Sequence, residues 1–324
     1  MRHIQPEPQN WRELLGNIIN DPHEKQRIAQ ELGVRTITLT RWVTGESDPR
    51  PQNLRHLLNV VPEERELLLD LIGEEFEDFT AITTDDSSKG IPSEFYSRVF
   101  SARSTTNESL HFWSICNLIL QQAIGQLDPD RLGMAITVVR CLPPSNGNKI
   151  RSLRESAGHG TPPWSGDLEQ QGMFLGAESL AGYAVTTCRP AAIQNILEDR
   201  NLLPAHQIPH ELSAAAHPIL CSGRIAGCLL ISSTQINYFL SPTRLSLIES
   251  YADLVALAFD TDEFYDPQEI HLHMMPSLEE QKKYFHDFRH RVTKVMREQS
   301  VHHRRAEEIV WQQLEEELLQ LTVI

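Results

Sequence analysis

Two stretches of this sequence carry side chains spaced for chemistry. The first lies between Ile28 and Gly45, reading I-A-Q-E-L-G-V-R-T-I-T-L-T-R-W-V-T-G. At about 100° per residue, Arg35, Leu39 and Trp42 fall on one side of a helix, and Thr36, Ile37, Thr40, Arg41 and Thr44 on the other. That second side, with Thr38 beside it, is expected to face outward. A merely solvated helix would carry Glu, Lys and Gln there; threonines, one arginine and one aliphatic side chain suit a nucleic-acid groove instead. Thr hydrogen-bonds bases or phosphates, Arg grips guanine through two hydrogen bonds, and Ile37 can meet a thymine methyl. The second stretch is C-terminal, where His286 and His290 stand at i, i+4 and His302-His303 follow. That spacing is metal-compatible, but without H-E-x-x-H or a third placed ligand it implies a solvated helix face and no metal site.

The elements that must position the first group are short helices. Ile28, Ala29 and Leu32 give one helix its apolar face, Gly33 supplies a residue able to take φ > 0 at its end, and Val34 restarts the buried surface. Ahead of it, Trp11 to Asn20 reads as a helix with Leu14, Leu15, Ile18 and Ile19 as its stripe, and Asp21-Pro22 starts the next. After it, Leu54, Leu57, Leu58 and Val61 keep helical spacing, and Pro62-Glu63-Glu64 opens a further helix with Leu67, Leu68 and Leu71. Residues 11–72 resemble the phage-repressor-like, or XRE, helix-turn-helix family, whose pattern A-x-x-L-G-V … T-L-x-R-W-x-x-G … P is matched without gaps. In that family the second helix enters the major groove. The resemblance implies phosphate contacts from Lys25 and, in D-P-R-P after the recognition helix, from Arg50. The partner implied is double-stranded DNA.

Composition bounds the rest. The 324 residues allow two or three domains, and 40% hydrophobic with 23% charged residues is ordinary for soluble globular protein. The start M-R-H-I-Q-P-E-P lacks the apolar core of a signal peptide, and no run approaches about 20 apolar residues, so no membrane association and a cytoplasmic location are expected. Five cysteines without a C-x-x-C pair argue against a disulfide scaffold. A formal charge of −15 excludes a protein that coats nucleic acid broadly. The acidity is uneven: residues 1–60 carry eight Lys or Arg against seven Asp or Glu, whereas 61–90 carry ten acids against Arg65 and Lys89. The reading head is thus near neutral and its non-specific affinity modest.

From Glu77 to Ser93 the chain is rich in Thr, Ser and Asp and broken by Gly90 and Pro92, which marks a linker. Glu94 to Leu127 then reads as one helix, with Phe112, Ile115, Cys116, Ile119 and Leu120 as its apolar face. Met134 to Leu142 is a β-branched strand, a polar strand follows near Ile150 to Ala157, and Ser179 to Thr187 is a short helix. Ala214 to Cys221 and Ile225 to Ser232 form a hairpin joined by Ser222-Gly223, and Pro242 opens a helix over Thr243 to Phe259.

This order resembles the GAF domain, a small-molecule-sensing and dimerising module, over residues 94–262. The resemblance rests on E-S-L-A-G-Y-A-V-T-T-C-R-P-A-A-I-Q-N at Glu178 to Asn195, on the hairpin A-A-H-P-I-L-C-S-G-R-I-A-G-C-L-L-I-S at Ala215 to Ser232, and on F-L-S-P-T-R-L-S-L-I-E at Phe239 to Glu249. A GAF pocket lies between the sheet and the loops covering it. The resemblance therefore implies Trp164, Phe174, Tyr183, Asn195, His206, His210 and His217 as candidate ligand contacts. A bilin or haem would use Cys188 or His217 first, but neither carries a cofactor-specific motif, and the cofactor stays unknown. The N-K-F-D-E motif of the cyclic-nucleotide branch is absent, and Ala181-Gly182 stands where the methionine-sulfoxide-reductase branch carries Cys-Gly. No catalytic residue is assigned and no enzyme is expected.

Ser277 to Leu321 reads as helical throughout, with Phe285, Phe288, Val292 and Val295 spaced as a, d, a, d. Lys282, Lys283, Arg289, Arg291, Lys294 and Arg297 give it a basic side, to pair with the acidic 61–90 region or to lie on DNA. The organisation expected is a helix-turn-helix domain over 1–76, a linker over 77–93, an α+β GAF domain of antiparallel sheet and flanking helices over 94–262, and a C-terminal α-helical region over 263–324. Its function would be a homodimeric transcription regulator reading a palindromic operator. The dimer would be held by Glu94 to Leu127, Thr243 to Phe259 and Ser277 to Leu321. The alternatives are an interaction scaffold without specific DNA binding and a GAF-based enzyme.

Overall fold

The computed structural model describes residues 8–61, 64–75, 90–144, 149–168, 173–198 and 208–321. Most of the expected linker, residues 77–89, lies outside them, as does His206. The chain divides into two compact units, residues 1–89 with 235–238, and residues 90–234 with 239–324.

The first unit contains helices α1 (Trp11–Ile18), α2 (Pro22–Glu31), α3 (Thr36–Val43), α4 (Pro51–Val60) and α5 (Arg65–Glu75). Local chemistry sets their starts. The Asn10 side chain accepts from the Glu13 N–H at 2.9 Å, and the Asp21 side chain accepts from the His23 N–H at 2.8 Å with Pro22 in the first turn. Gly33 takes φ 65° after α2, and the Val34 N–H donates to the Ala29 carbonyl at 2.9 Å, turning the chain into α3. The helices close on a core that includes Trp11, Leu15, Ile28, Leu39, Trp42, Leu57 and Leu68. One expectation fails here. Arg35, placed with Leu39 and Trp42, is exposed, because it is the extended residue before α3 and not part of the helical wheel. Val34 packs against the core in its place.

The second unit begins with α6 (Ser93–Thr105) and α7 (His111–Leu127). The single helix expected over Glu94 to Leu127 is therefore two. Thr106 takes extended backbone and the Leu110 N–H turns back to the Asn107 carbonyl at 2.8 Å, in a run of Thr and Asn that favours helix weakly. The sheet comprises β1 (Met134–Cys141), β2 (Leu153–Gly160), β3 (Phe174–Leu175), β4 (Ala191–Ile193), β5 (Ser213–Cys221) and β6 (Arg224–Ser233), in the order β3-β2-β1-β6-β5-β4 with antiparallel neighbours. The β5–β6 turn has φ 53° at Ser222 and 77° at Gly223, the double positive φ of a tight two-residue hairpin. A bulge between Val138 and Val139 interrupts the β1–β2 register, which pairs Val138 with Ala157 and Val139 with Glu155.

One face of the sheet packs against α7 and α9 (Pro242–Val255), the other against α8 (Leu180–Thr187). Ser179 caps α8, its Oγ accepting from the Gly182 N–H at 2.9 Å. Gly182 itself is obligatory for this packing, since a Cβ there would lie 2.0 Å from the Gly176 carbonyl oxygen.

The C-terminal region is not one helix but α10 (Leu278–Phe285), α11 (Phe288–Gln299) and α12 (His303–Leu321). It breaks at His286-Asp287 and again at Ser300, whose φ is 53°. His286 and His290 thus do not share a helix. The apolar seam expected to pair with another chain is buried within its own: Val292, Val295, Ala306, Val310, Leu314 and Leu318 cluster with Leu142 and Phe174. At the same contact Glu315, only 1% exposed, accepts from the Ser152 hydroxyl and from Arg151, each at 2.7 Å. On the basic side, Arg291 pairs with Glu317 at 2.6 Å inside the α11–α12 hairpin. Among the described residues, no helix is long and apolar enough to cross a membrane, and no group of three or more His, Cys, Asp or Glu is placed to hold a metal ion.

Candidate functional site

In the first unit, the placement of Leu39 and Trp42 in the core leaves the opposite side of α3 toward solvent. Thr36, Ile37, Arg41 and Thr44 are exposed, Ile37 at 56%, while Thr38 and Thr40 are half-buried. The Thr40 and Thr44 hydroxyls donate back to the carbonyls of Thr36 and Arg41, both at 3.3 Å. Arg41 meets Glu46 at 3.7 Å, an ion pair between exposed side chains and hence weak. Arg12 and Arg27 are unlike it. Arg12 is tied to Asp48, Glu75 and the Trp42 carbonyl, and Arg27 to Glu24, Glu31 and the Val60 carbonyl. Lys25 is half-buried on α2, and Arg50 is exposed where its extended backbone starts α4.

In the second unit, the face of the sheet beneath α8 carries a cavity. Register pairs Thr137 with Leu230 and Ala214 with Ser232, and alternation turns these toward α8. The cavity has two adjoining lobes, of about 50 and 60 Å³, which share Met173, Ile208, Leu230 and Leu278. Glu211 lines one lobe, and Glu155, Ser232 and Trp164 line the other. Burial raises the pKa of Glu211 to about 7, partly opposed by the Ser232 hydroxyl, which donates to its carboxylate. Burial also raises Glu155 to about 7, reinforced by the Glu211 charge and opposed by the Met173 backbone. Burial in one small, mostly apolar space thus favours the protonated form of both carboxyls. Such a pair can donate one hydrogen bond and accept others, or neutralise a single cation.

Residues 114–260 match the family model described as GAF domain. This segment is a GAF domain. Among solved structures, type II free methionine-R-sulfoxide reductase from Thermoplasma acidophilum aligns at 18% identity, covering 49% of this chain and 96% of that one, with a TM-score of 0.35. The GAF domain from an Acinetobacter phosphoenolpyruvate-protein phosphotransferase aligns at 16% identity, covering 51% and 90%, with a TM-score of 0.34. A putative GAF sensor protein from Burkholderia vietnamiensis aligns at 19% identity, covering 50% and 92%, with a TM-score of 0.34. No curated protein matches the chain.

Within the GAF domain the expected ligand contacts scatter. Trp164 does line the cavity. Phe174 borders it but is fully buried, its ring held by Phe285 and Trp311 at centroid distances of 6.1 and 5.7 Å. Tyr183 stands 47% exposed on the outer side of α8, and Asn195 caps a turn by accepting from the Leu197 N–H at 3.1 Å. His210 is exposed at a turn with φ 73°. His217 pairs with Leu229 and so points to the opposite face from Ala216 and Leu230, away from the cavity. Cys188 ends α8 with φ 50°, its thiol donating to the Val185 carbonyl at 3.6 Å. Glu155 and Glu211 were not among the sequence candidates. The available signal was an acid inside a strand, Glu155, and another two residues ahead of a strand, Glu211. Nearby Glu178 has a structural task instead, accepting from the backbone N–H groups of Gly176 and Met275 at 2.8 and 2.9 Å.

Proposed function

We propose that this chain is a transcription regulator that reads a palindromic operator as a homodimer, with the GAF domain sensing a small molecule. The observation that carries the DNA-binding reading is the outer side of α3. There Thr36, Ile37, Arg41 and Thr44 are exposed together, a set in which Arg can grip guanine, Thr can meet bases or phosphates and Ile37 can meet a thymine methyl. The turn at Gly33, the burial of Leu39 and Trp42, and the freedom of Arg41 from a buried ion pair support the same reading. Lys25, half-buried on α2, and the exposed Arg50 would meet phosphates.

The cavity supports a compact ligand bearing an ammonium or another hydrogen-bond donor. It would meet Glu155 and Glu211 and lay its cationic end by Trp164. Sensing without turnover is supported by Ala181-Gly182, where a catalytic cysteine would stand in the reductase branch. Pairing of two chains falls to the segments Glu94 to Leu127 and Thr243 to Phe259, where Phe100 stays 57% exposed, because the seam of Ser277 to Leu321 is already covered.

Two experiments test this. Selection of random duplex DNA by the full chain should yield a two-fold symmetric consensus with half-sites about 34–36 Å apart or a multiple of that. Failure to enrich any sequence would favour a protein-interaction role for the first unit. Native mass spectrometry of the purified chain should find a small amine-bearing molecule, lost in a Glu155→Gln, Glu211→Gln double variant.

A further inference from the structure

A second cavity lies on the opposite side of the sheet, where the ends of β1 and β2 meet the start of α7 and helix α12. It encloses about 440 Å³. Register pairs Arg140 with Arg154, and both turn toward the α7 face, so the sheet separates this space from the Glu155–Glu211 lobes. The two arginines differ in their partners. Arg140 pairs with Glu263 and lies over the rings of Phe112 and Phe259, at 4.5 and 5.6 Å. Arg154 stacks on Trp311 at 4.4 Å, makes one long contact of 3.5 Å to the Glu155 carbonyl, and buries its Nε with no hydrogen-bond partner. Among the described residues, no carboxylate stands within ion-pair distance of it. Burial, with Arg140 beside it, lowers its pKa to about 9 against the opposing charge of Glu307, which leaves it charged at neutral pH. A guanidinium taken from water without an ion pair is costly, and a bound anion offsets that cost.

The lining narrows the anion. Acids around the space have cations of their own: Glu263 takes Arg140, Asp260 takes Arg103 at 2.9 Å, and Glu308 takes Arg305 at 2.9 Å. With these acids already paired, and Arg304 beside Glu308 at 3.8 Å, Arg154 is, among the described residues, the lining guanidinium left without an ion pair, and its single positive charge suits an anion of one negative charge. Phe112, Trp113 and Leu142 give this space an apolar wall, beside the polar His111, Arg304 and Gln312.

We propose that this cavity is a second ligand site, which takes a small organic monocarboxylate. Its carboxylate pairs with the planar fork of Arg154, and its apolar body rests on Phe112, Trp113 and Leu142. Because α12 supplies part of the lining, an occupant ties the C-terminal helices to the GAF sheet and strengthens their docking.

Benzoate is the probe, titrated into the full chain by calorimetry, with inorganic phosphate and adenosine monophosphate alongside. The expected result is saturable benzoate binding, at least tenfold weaker in Arg154→Gln, weakened less in Arg154→Lys, and absent for the two phosphates. The indole N–H resonances of Trp113 and Trp311 should shift on addition, while those of Trp11 and Trp42 stay, a readout that needs no variant. Arg154→Gln should melt no lower than the parent chain without ligand, since it removes an unpaired charge. No saturable benzoate binding, equal affinity in Arg154→Gln, tighter binding of either phosphate, or unmoved Trp113 and Trp311 resonances would each overturn the proposal.

Discussion

Arg41 and Lys25 belong to the same small unit but would do different work on DNA. Under the proposed function Arg41, exposed on the outer side of α3, would meet a base edge, so Arg41→Ala should weaken the selected operator by about 1–3 kcal/mol and relax one position of the consensus. Lys25→Ala should instead weaken all sequences alike and flatten the salt dependence. Affinities measured over a salt series on cognate and scrambled duplexes separate the two, and an unchanged operator affinity in Arg41→Ala would reassign the groove face. The acid pair predicts a pH effect with a definite sign. Glu155 and Glu211 in the folded chain hold protons up to about pH 7, against 4.5 ordinarily, so the folded state binds more protons than the unfolded one in between. Their contribution to stability is therefore favourable below about pH 4.5, falls as pH rises through 4.5–7, and is a full penalty above. Melting temperatures from pH 5 to 8 should fall for the parent chain relative to the Glu155→Gln, Glu211→Gln double variant, and parallel curves would show the carboxyls uncoupled from folding.

Elements in this chain depend on single side chains at their contacts. Trp42 is 2% exposed at the centre of a core built from five short helices, and Trp42→Ala should cost about 3–5 kcal/mol there. A loss of that size is expected to unfold so small a unit, which circular dichroism on residues 1–76 would report as missing helix. Glu315 does comparable work for α12. Glu315→Ala leaves the fully buried Ser152 hydroxyl without its partner and takes one carboxylate from Arg151, so it should destabilise by about 1–3 kcal/mol. Faster backbone amide exchange confined to α11 and α12 would identify the docking contact as the part lost. Uniform acceleration across the sheet would instead make these helices one cooperative body with it.

At the scale of the whole molecule, if the first unit reads DNA as proposed, one copy would contact only a few base edges, and specific affinity calls for two. Light scattering should give a dimer for the full chain and a monomer for residues 1–76. Removing Ser277 to Ile324 should leave the dimer in place while lowering the stability of what remains, because it uncovers Leu142 and Phe174 and not an intermolecular seam. A dimeric 1–76 fragment, or a monomeric truncated chain, would move the interface.

Much of the fold was legible because its signals are local. The stripe of Leu14, Leu15, Ile18 and Ile19, the Gly33 turn, the Ser222-Gly223 hairpin and the short helix ending at Thr187 each depend on neighbours within a few residues, and each lies where the sequence places it. The outer side of α3 was readable for the same reason, since a helix's period assigns both sides once one is apolar. Arg35 fell outside that rule only because the helix starts after it. The GAF cavity was not readable, because a strand's alternation defines two faces without saying which one α8 covers. His217 takes the other face for that reason. The bulge at Val138/Val139 then reverses the parity within β2, so that Glu155 leaves the face of Ala157 and joins that of Thr137 and Leu230. Only the assembled sheet brings Glu155 to Glu211, and only the return of α12 onto the sheet encloses Arg154 beside Trp311. The sequence by itself determined which segments are helix and strand and which side of each is apolar. Register and docking decided which polar groups were buried together, because those depend on contacts between residues far apart in the chain.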